Sequence, residues 1–559
     1  MLGSLIGVSG VGIHANSLDY AILGIYFLVV LGIGVVARLT IKTDLDFFLS
    51  GRSLPAWITG LAFIAANLGA LEILGMAANG AQYGVATVHF YWIGAVPAML
   101  FLGVVMMPFY YGAKVRSVPE YLRLRFGRFA HIWNAFSFAV ATVLIAGVNL
   151  FALALVVHLM LGWTIAVSIF VAAAIVLVYI TLGGLTSAIY NEVLQFFIIV
   201  ASLVPLVIVA LHSMGGWSGL ENRVKHSTLG SAGLHAWKGL GIGHVTNPIG
   251  GNWLVMVMGL GFVLSFGYWT TNFAEVQRAL SAKNQSAARR TPLIGAYPKI
   301  FIPALTIIPG LVALVAIKGL GKSDPSLQYN AAIPLLIGKY LPMGMLGVAI
   351  AGLIAAFMAG VAANVTAFNT VVTYDLWQPY VRKDRDSSYY VSVGRIATFI
   401  GLLISIATAF IAKGNSNIMN YVQDLFAIFN APLFATFIIA MFWKRATWLA
   451  GGLSMIAGSA AAEATHLLAS NKVINISSKL ALTWWQAIAA FMVDAIVLVA
   501  FSLFTKPKPD EELRGLVWGL KREEQESDAI AGDTAWYRSI PVLTGGALAL
   551  IVALNIIFI

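Results

Sequence analysis

Residues 57–84 read WITGLAFIAANLGALEILGMAANGAQYG, an apolar stretch with polar residues at its centre. The stretch is long enough to cross a bilayer, but Asn67, Gly69 and Glu72 in its middle favour a break in the helix. Within a membrane, unwound backbone is tolerated only where protein or a water-filled cavity satisfies its N–H and C=O groups. The stretch therefore predicts the wall of a solute site. The alternative is a straight helix whose small residues allow close packing against a neighbour.

The composition of the chain is that of a membrane protein. Its 559 residues are 60% hydrophobic and 10% charged, with a mean hydropathy of +0.87. No soluble globular class has this balance. Because apolar runs of about 20 residues recur along nearly the whole length, we predict an all-α polytopic membrane protein with about fourteen spans. The chain contains no cysteine, which excludes disulfides, thiolate metal sites and a cysteine nucleophile.

The distribution of positive charge predicts how the spans are oriented. Most of the 34 lysine and arginine residues lie in loops that follow odd-numbered spans, so we expect those loops to be cytoplasmic and both termini to be extracellular at the cell membrane. Because the net charge of +11 follows these loops, it does not indicate a nucleic-acid partner. The predicted spans lie near residues 18–38, 56–82, 86–111, 131–160, 162–182, 186–212, 252–276, 294–317, 345–375, 391–412, 419–442, 447–469, 484–505 and 540–558.

Two outer loops and one inner loop are long. Residues 213–251 are Gly-rich and residues 318–344 are expected to carry a short helix that ends at Leu341; each loop is a connector or a lid. The inner loop 506–538 has apolar residues between its charges, which favours an interfacial amphipathic helix. A second Gly- and Asn-rich span at 345–375 resembles the opening stretch, and two interrupted helices in corresponding positions indicate an inverted-repeat transporter.

Short motifs recur in order along most of the chain. They are FLSGRSLP at 48–55, AAN at 65–67, SVPEYL at 117–122, RFG at 125–127, GGL at 183–185, YNE at 190–192, QF at 195–196, YW at 268–269, VQRALSAKN at 276–284, TYD at 373–375, YVQ at 421–423 and FWKR at 442–445. In order and spacing, over about residues 18–445, these motifs resemble the sodium/solute symporter family, and within it the sodium/glucose cotransporter branch.

The resemblance implies a LeuT-type fold, in which five plus five helices form an inverted repeat with extra helices on either side. Residues 1–55 are then an extracellular N-terminus with a first extra helix, 56–445 the transporter core, and 446–559 additional C-terminal helices. The resemblance also implies a coupling ion between the first and eighth core helices, with a polar organic solute beside it. The opening stretch becomes core helix one, and residues 345–375 become core helix eight.

The resemblance also assigns a solute site. It carries the sugar contacts of the family onto Asn67, Trp269, Lys299 and Gln423, with Tyr268 and Asn272 lining the same stretch. Two positions depart from the family, since Tyr91 stands in place of a sugar-contacting glutamate and Glu72 in place of a His or Gln. An inositol, an amino sugar or another polar solute therefore stays open beside a hexose. The alternatives for these side chains are interhelical hydrogen bonds, an aromatic belt and a snorkelling lysine.

The predicted sodium site departs further. Where core helix eight of the family presents two adjacent hydroxyl residues, this chain has Ala359 and Gly360. A cage of carbonyl groups without hydroxyls is a poor site for a dehydrated cation. The positions that remain for such a cage, three with carbonyls and one acid near the inner exit, are Ala65, Leu68, Ala356 and Glu192.

Three modes of coupling stay open for this reason. Sodium binds the site just described or a displaced one; a proton binds a carboxyl; or transport is uncoupled. The residues that would supply oxygens to a displaced sodium site are Asn364, Thr366 and Asn369. The alternative is that these polar side chains only pack between helices. The carboxyls that would titrate are Glu72, Glu192 and Glu275.

The sequence thus predicts a secondary active transporter that imports a small polar organic solute, a sugar or polyol, with a sodium gradient. We expect no covalent chemistry and no organic cofactor; the partners are the solute, a coupling cation and the lipid bilayer. One rival function is a membrane sensor that keeps the transporter fold but only binds. The other is an intramembrane enzyme, which no nucleophile, metal motif or cofactor signature supports.

Overall fold

Long helices dominate the computed structural model, which describes residues 16–40, 43–322, 327–476, 478–520 and 535–558. Within these ranges eleven helices are long and apolar enough to cross a membrane, and one bent pair makes a twelfth. The all-α prediction is confirmed. The longer helices are Ser17–Thr40, Ala56–Asn67, Met76–Tyr83, Val118–Phe126, Arg128–Leu161, Ile165–Ser213, Gly216–Lys225, Phe273–Leu280, Gln285–Ala316, Ala332–Tyr340, Met345–Val371, Ser387–Lys413, Ile418–Phe442, Trp448–Ser470, Lys479–Phe504 and Ile540–Ile557.

Shorter elements complete the described chain. Short α-helical, 3₁₀ and π-helical segments are Asp44–Leu49, Ser50–Arg52, Leu71–Gly75, Val85–Val88, Phe90–Ala95, Val96–Phe101, Leu102–Met106, Met107–Gly112, Ser231–Leu234, Trp253–Val255, Met256–Ser265, Phe266–Thr271, Tyr329–Ala331, Val372–Trp377, Gln378–Tyr380, Asp510–Leu513 and Trp536–Arg538. The strands Leu240–Gly241 and His244–Val245 pair in an antiparallel hairpin within the loop 213–251. The short helix predicted to end at Leu341 is Ala332–Tyr340, with Leu341 as its C-cap residue. Of the loop 506–538, residues 521–534 lie outside the described residues, and residues 506–520 contain only the short α-helix Asp510–Leu513, so the predicted interfacial helix is not seen in that described part.

The two remaining predicted spans are less apolar or bent. Residues 162–182 correspond to the first part of Ile165–Ser213, which kinks at Gly184, where φ is 52° and ψ is −148°. This positive φ is one that only glycine adopts without strain. Residues 447–469 correspond to Trp448–Ser470, a full-length helix that falls outside the eleven by its hydropathy.

The first broken span comprises residues 56–83. Its first helix ends at Asn67, and the second half, Leu71–Tyr83, is bent from it by 57°. At Leu68 the backbone leaves helical values (ψ 35°), while its N–H still donates to the carbonyls of Ile64 and Ala65. The break predicted from Asn67, Gly69 and Glu72 is confirmed, and the straight-helix alternative is wrong.

The second broken span comprises residues 253–280. The helix Phe266–Thr271 stops at Asn272, whose backbone is extended (φ −71°, ψ 108°), and Phe273–Leu280 follows directly. Asn272 Oδ1 accepts a hydrogen bond from Ala274 N–H at 3.0 Å and so caps the new helix. The two breaks lie five spans apart, which is the spacing expected when five helices are repeated.

The pairing of 345–375 with the opening stretch as interrupted helices is wrong. Met345–Val371, called the central helix below, is a continuous α-helix. Its glycines serve close packing instead of a break, since a Cβ atom on Gly352 would lie 2.5 Å from Ser202 Cβ. Two spans are the most buried: Met345–Tyr380, which contains the central helix, and Arg128–Leu159. The least buried span is Ile540–Ile557. The site lies where the two broken spans pack into this centre.

Candidate solute site and ion junction

Lys299 lies at the middle of the candidate solute site. Its side chain is 1% exposed, and its ammonium nitrogen is 2.6 Å from Glu72 Oε1 and donates a hydrogen bond to Asn67 Oδ1. The same nitrogen lies 5.0 Å from the ring centroids of both Tyr91 and Trp269. A buried ammonium is stable only with such partners. The geometry therefore holds Lys299 inside the protein, and the snorkelling alternative does not describe it.

A chain of hydrogen bonds extends from this ion pair in two directions. Tyr91 O–H donates to Glu72 Oε2 at 2.7 Å. On the other side Asn67 Nδ2 donates to Tyr268 OH at 3.0 Å, and Tyr268 O–H donates to Glu275 Oε1 at 2.8 Å. Because Tyr268 and Glu275 flank the break at Asn272, the chain ties the first broken span to the second.

A small cavity of about 50 Å³ opens beside this network. That volume is below the range of about 300–1,000 Å³ that small-molecule sites occupy, so binding a solute requires the cavity to widen. Its lining residues are Asn67, Leu71, Glu72, Phe90, Ala95, Leu264, Ser265, Tyr268, Trp269, Met419, Gln423 and Phe426.

Gln423 is a side chain of this cavity with hydrogen-bonding capacity left over. It is 7% exposed; its Nε2 donates weakly to Met419 Sδ at 3.5 Å, and its Oε1 has no hydrogen-bond partner within the part of the chain that the structure describes. A buried oxygen without a partner costs about 1–3 kcal/mol. A bound molecule with a hydroxyl group would remove that cost.

The structure thus brings most of the predicted solute residues together. Lys299 and Tyr91 lie directly behind the cavity wall, in contact with Glu72, whereas Asn272 uses its side chain to cap a helix. Met419 and Phe426 are lining residues that the sequence analysis missed. They lie four residues before and three after Gln423 on one helix, so helical spacing alone could have found them.

The predicted ion junction, between the break of the first broken span and the central helix, contains the side chain of Asn149. Asn149 Oδ1 accepts a hydrogen bond from Ala70 N–H at 2.8 Å, and its Nδ2 donates to Ile145 O at 3.0 Å. A Cβ atom on Gly69 would lie 2.5 Å from Asn149 Oδ1, and one on Gly360 would lie 2.6 Å from Asn149 Cγ. The carboxamide therefore fills the space that these two glycines leave.

Two backbone oxygens at this junction accept hydrogen bonds from the protein. Ala65 O accepts from Leu68 N–H at 3.1 Å, and Gly360 O accepts from Asn364 Nδ2 at 2.8 Å. Ala356 and Ala359 add no side-chain oxygen. With no hydroxyl groups and with a carboxamide wedged between the helices, these residues do not fit a dehydrated sodium ion, which needs several oxygen ligands at once.

The other predicted oxygen groups are also engaged. Glu192 forms a buried ion pair with Arg278, from which two guanidinium nitrogens donate to its two carboxylate oxygens. Thr366 Oγ1 donates to Ala362 O within its own helix, and Asn369 Nδ2 donates to Thr398 Oγ1. The carboxylate of Glu192 is therefore balanced by a cation of the protein itself.

Sequence comparison identifies the family. The model of the "Sodium:solute symporter family" matches residues 47–458. The chain belongs to this family. Similar curated proteins are sodium/glucose cotransporter 1 of Ovis aries, 29% identical with 91% of this chain and 82% of that protein covered, and sodium/glucose cotransporter 4 of Homo sapiens, 29% identical with 91% and 79% covered. This symporter-family protein is an integral membrane transporter, and the enzyme alternative is wrong.

Solved structures place the symporter among LeuT-type transporters. A Na⁺-coupled sialic acid symporter in a substrate-bound, outward-open state superposes with a TM-score of 0.72 at 18% identity, covering 88% of this chain and 99% of that one. A nucleobase-cation-symport-1 family transporter in a closed conformation superposes with a TM-score of 0.52 at 14% identity, covering 86% of this chain and 99% of that one. These likenesses confirm the predicted fold class.

Proposed function

We propose that this symporter imports a small, neutral, polar organic solute, a sugar or polyol, by alternating access, and that the cavity beside Gln423 binds it. The observation that carries the proposal is the unpartnered Gln423 Oε1 at the edge of a cavity walled by Trp269, Tyr268 and Phe426. Aromatic faces suit the apolar side of a sugar ring, and amide groups suit its hydroxyls. Membership of a sodium:solute symporter family favours import driven by a cation gradient.

Charge in the cavity supports a neutral solute. Glu72 and Lys299 neutralise each other at 2.6 Å, so neither offers an unbalanced charge to an ionised ligand. An amino sugar would need a free carboxylate, and Glu72 is already paired. The pair still presents acceptor and donor atoms to hydroxyl groups. We expect the protein to lie in the cell membrane with both termini extracellular, as the positive charges of the odd-span loops favour.

Reconstitution tests this proposal. Purified protein in proteoliposomes is assayed for uptake of labelled hexoses and inositols under an inward sodium gradient, an inward proton gradient and no gradient. Accumulation above equilibrium of one of these solutes supports a coupled importer. Equilibration without accumulation indicates a facilitator, and saturable binding without flux indicates a sensor. If no sugar or polyol binds or is transported, the proposed solute class is wrong.

Gln423→Ala tests the cavity itself. We expect the solute Kd to rise about tenfold, because one buried hydrogen bond of about 1–1.5 kcal/mol is lost. Stability should change little, since Gln423 makes one weak bond to Met419 Sδ. Gln486→Ala is the matched control, because Gln486 is also buried with an unpartnered amide oxygen but does not line the cavity. Equal affinities in both variants would remove Gln423 from the site.

A further inference from the structure

The ionisable groups inside the protein around the two broken spans do not balance. Among the described residues linked to the solute site, two are cations, Lys299 and Arg278, and three are carboxyls, Glu72, Glu192 and Glu275. Lys299 pairs with Glu72, and Arg278 pairs with Glu192. Glu275 is the carboxyl left without a cation of its own.

The surroundings of Glu275 are closed and short of partners. It is 2% exposed; Oε1 accepts one hydrogen bond, from Tyr268 O–H, and Oε2 has no hydrogen-bond partner in the described ranges. The charged groups that act on it are Arg278 on its own helix, Lys299 from Gln285–Ala316 and Glu192 from Ile165–Ser213. Both cations are already bonded to another carboxylate.

A lone carboxylate in this position is costly. Burying an ion without a partner costs several kcal/mol, and a carboxyl avoids the cost by keeping its proton. A sodium ion would need several oxygen ligands, yet Lys299 Nζ, Asn67 Nδ2 and the Tyr268 hydroxyl present donors around this network. The ion junction at Asn149 likewise fits no dehydrated cation.

We propose that Glu275 carries the coupling cation of this transporter as a proton. The inference rests on the proposed function and names the cation that drives it. Glu275 takes up a proton on Oε2 while the cavity faces outward, and the protonated state binds solute. The proton leaves from the same oxygen when the cavity opens inward, since Glu275 lies on the half of the second broken span that leads to a loop predicted to be cytoplasmic.

The network provides a route for this coupling. Tyr268 bonds Glu275 on one side and Asn67 on the other, and Asn67 both lines the cavity and bonds Lys299. Gaining or losing the proton changes the charge on the carboxyl group to which the Tyr268 hydroxyl donates. The hydrogen bond from Asn67 to Tyr268 carries this change to the cavity wall, where the solute binds. With one proton per solute, the affinity for solute should fall about tenfold for each unit by which the pH rises, over the range in which the Glu275 carboxyl ionises.

The first test uses the wild-type protein. Proteoliposomes in sodium-free buffer, loaded with the pH dye pyranine, receive the transported sugar or polyol under an inward proton gradient. We expect solute entry to acidify the interior, and accumulation to reach at most about tenfold for each pH unit of gradient. Accumulation that requires sodium and is indifferent to the proton gradient would overturn the inference and leave the proposed function standing. No uptake or binding under any gradient would overturn both.

The second test uses Glu275→Gln, which keeps an acceptor for Tyr268 and removes the titratable group. We expect solute affinity to become independent of pH and proton-driven accumulation to be lost, while exchange of labelled for unlabelled solute continues. Asp494→Asn is the matched control, since Asp494 is a fully buried carboxyl bonded to Thr436 at 3.0 Å outside this network. Proton-driven accumulation that survives Glu275→Gln would refute the role of Glu275. If that variant does not fold, the pyranine experiment decides.

Discussion

The ion junction yields a prediction whose magnitude follows from its geometry. In Gly360→Ala the new Cβ atom would overlap Asn149 Oδ1 and lie 2.6 Å from Asn149 Cγ. Overpacking of this kind costs about 1–3 kcal/mol. If Asn149 moves away, Ala70 N–H loses its 2.8 Å hydrogen bond, and a buried unsatisfied donor costs a similar amount. We expect Gly360→Ala to destabilise the protein by about 1–3 kcal/mol.

A double-mutant cycle measures this interaction. Thermal unfolding in detergent is recorded for Gly360→Ala, Asn149→Ala and the double variant. Because Asn149→Ala removes both the overlapping atoms and the hydrogen bond, adding Gly360→Ala to it should cost little, which gives a coupling energy of about 1–3 kcal/mol. Gly24→Ala serves as control, since its Cβ atom would meet nothing within 4 Å. A Gly360→Ala protein as stable as the control would refute the packing of Asn149 between the two helices.

The same overlap makes a serine replacement at Gly360 alone a poor test of sodium binding. Gly360→Ser alone would bring its Cβ onto Asn149, so a loss of activity would report the overlap. Combined with Asn149→Ala, the serine adds a hydroxyl to a junction that has been cleared. Sodium should then raise the melting temperature of the double variant and leave that of the wild type unchanged. Stabilisation of the wild type by sodium, with no effect of potassium, would contradict the interpretation of the junction.

Two further predictions concern the buried ion pairs. Lys299→Met should destabilise the protein by about 3 kcal/mol, because Glu72, whose side chain is only 13% exposed, is left unpaired. Adding Glu72→Gln should recover most of the loss in melting temperature; equal losses in the single and double variants would contradict this. Arg278→Met should lower the stability by a similar amount, because Glu192 is left buried without its cation. Adding Glu192→Gln should restore the stability. A fully stable Arg278→Met protein would mean that this ion pair does not stabilise the fold.

The first break could be predicted from sequence and the second was misplaced. Asn67 and Glu72 interrupt an apolar run, and an ionisable side chain at mid-membrane indicates a functional site. The glycines of the central helix give the same local signal but serve contacts with Ser202 and Asn149, on helices far away in sequence. One sequence does not distinguish a glycine that breaks a helix from one that admits a neighbour.

A signal for the second break was nevertheless present. Asn272 followed three residues later by Glu275 resembles a capping pattern, in which a short polar side chain starts a helix and an acid stands in its first turn. The structure places Asn272 at this cap. The role of Asn149 had no such signal, because its meaning depends on two glycines that are distant in the chain and adjacent only after folding.

Helix ends bear on whether Glu275 stays ionised. Lys299 bonds Asn67 at the carboxyl end of Ala56–Asn67, where partial negative charge accumulates, and Glu275 lies in the first turn of Phe273–Leu280, where partial positive charge accumulates. Such an end stabilises a carboxylate by about 0.3–2 kcal/mol. Burial without a partner costs several kcal/mol. The helix end therefore reduces the cost of ionising Glu275 without removing it, and a group that alternates between protonated and ionised states in each cycle requires a balance of this kind.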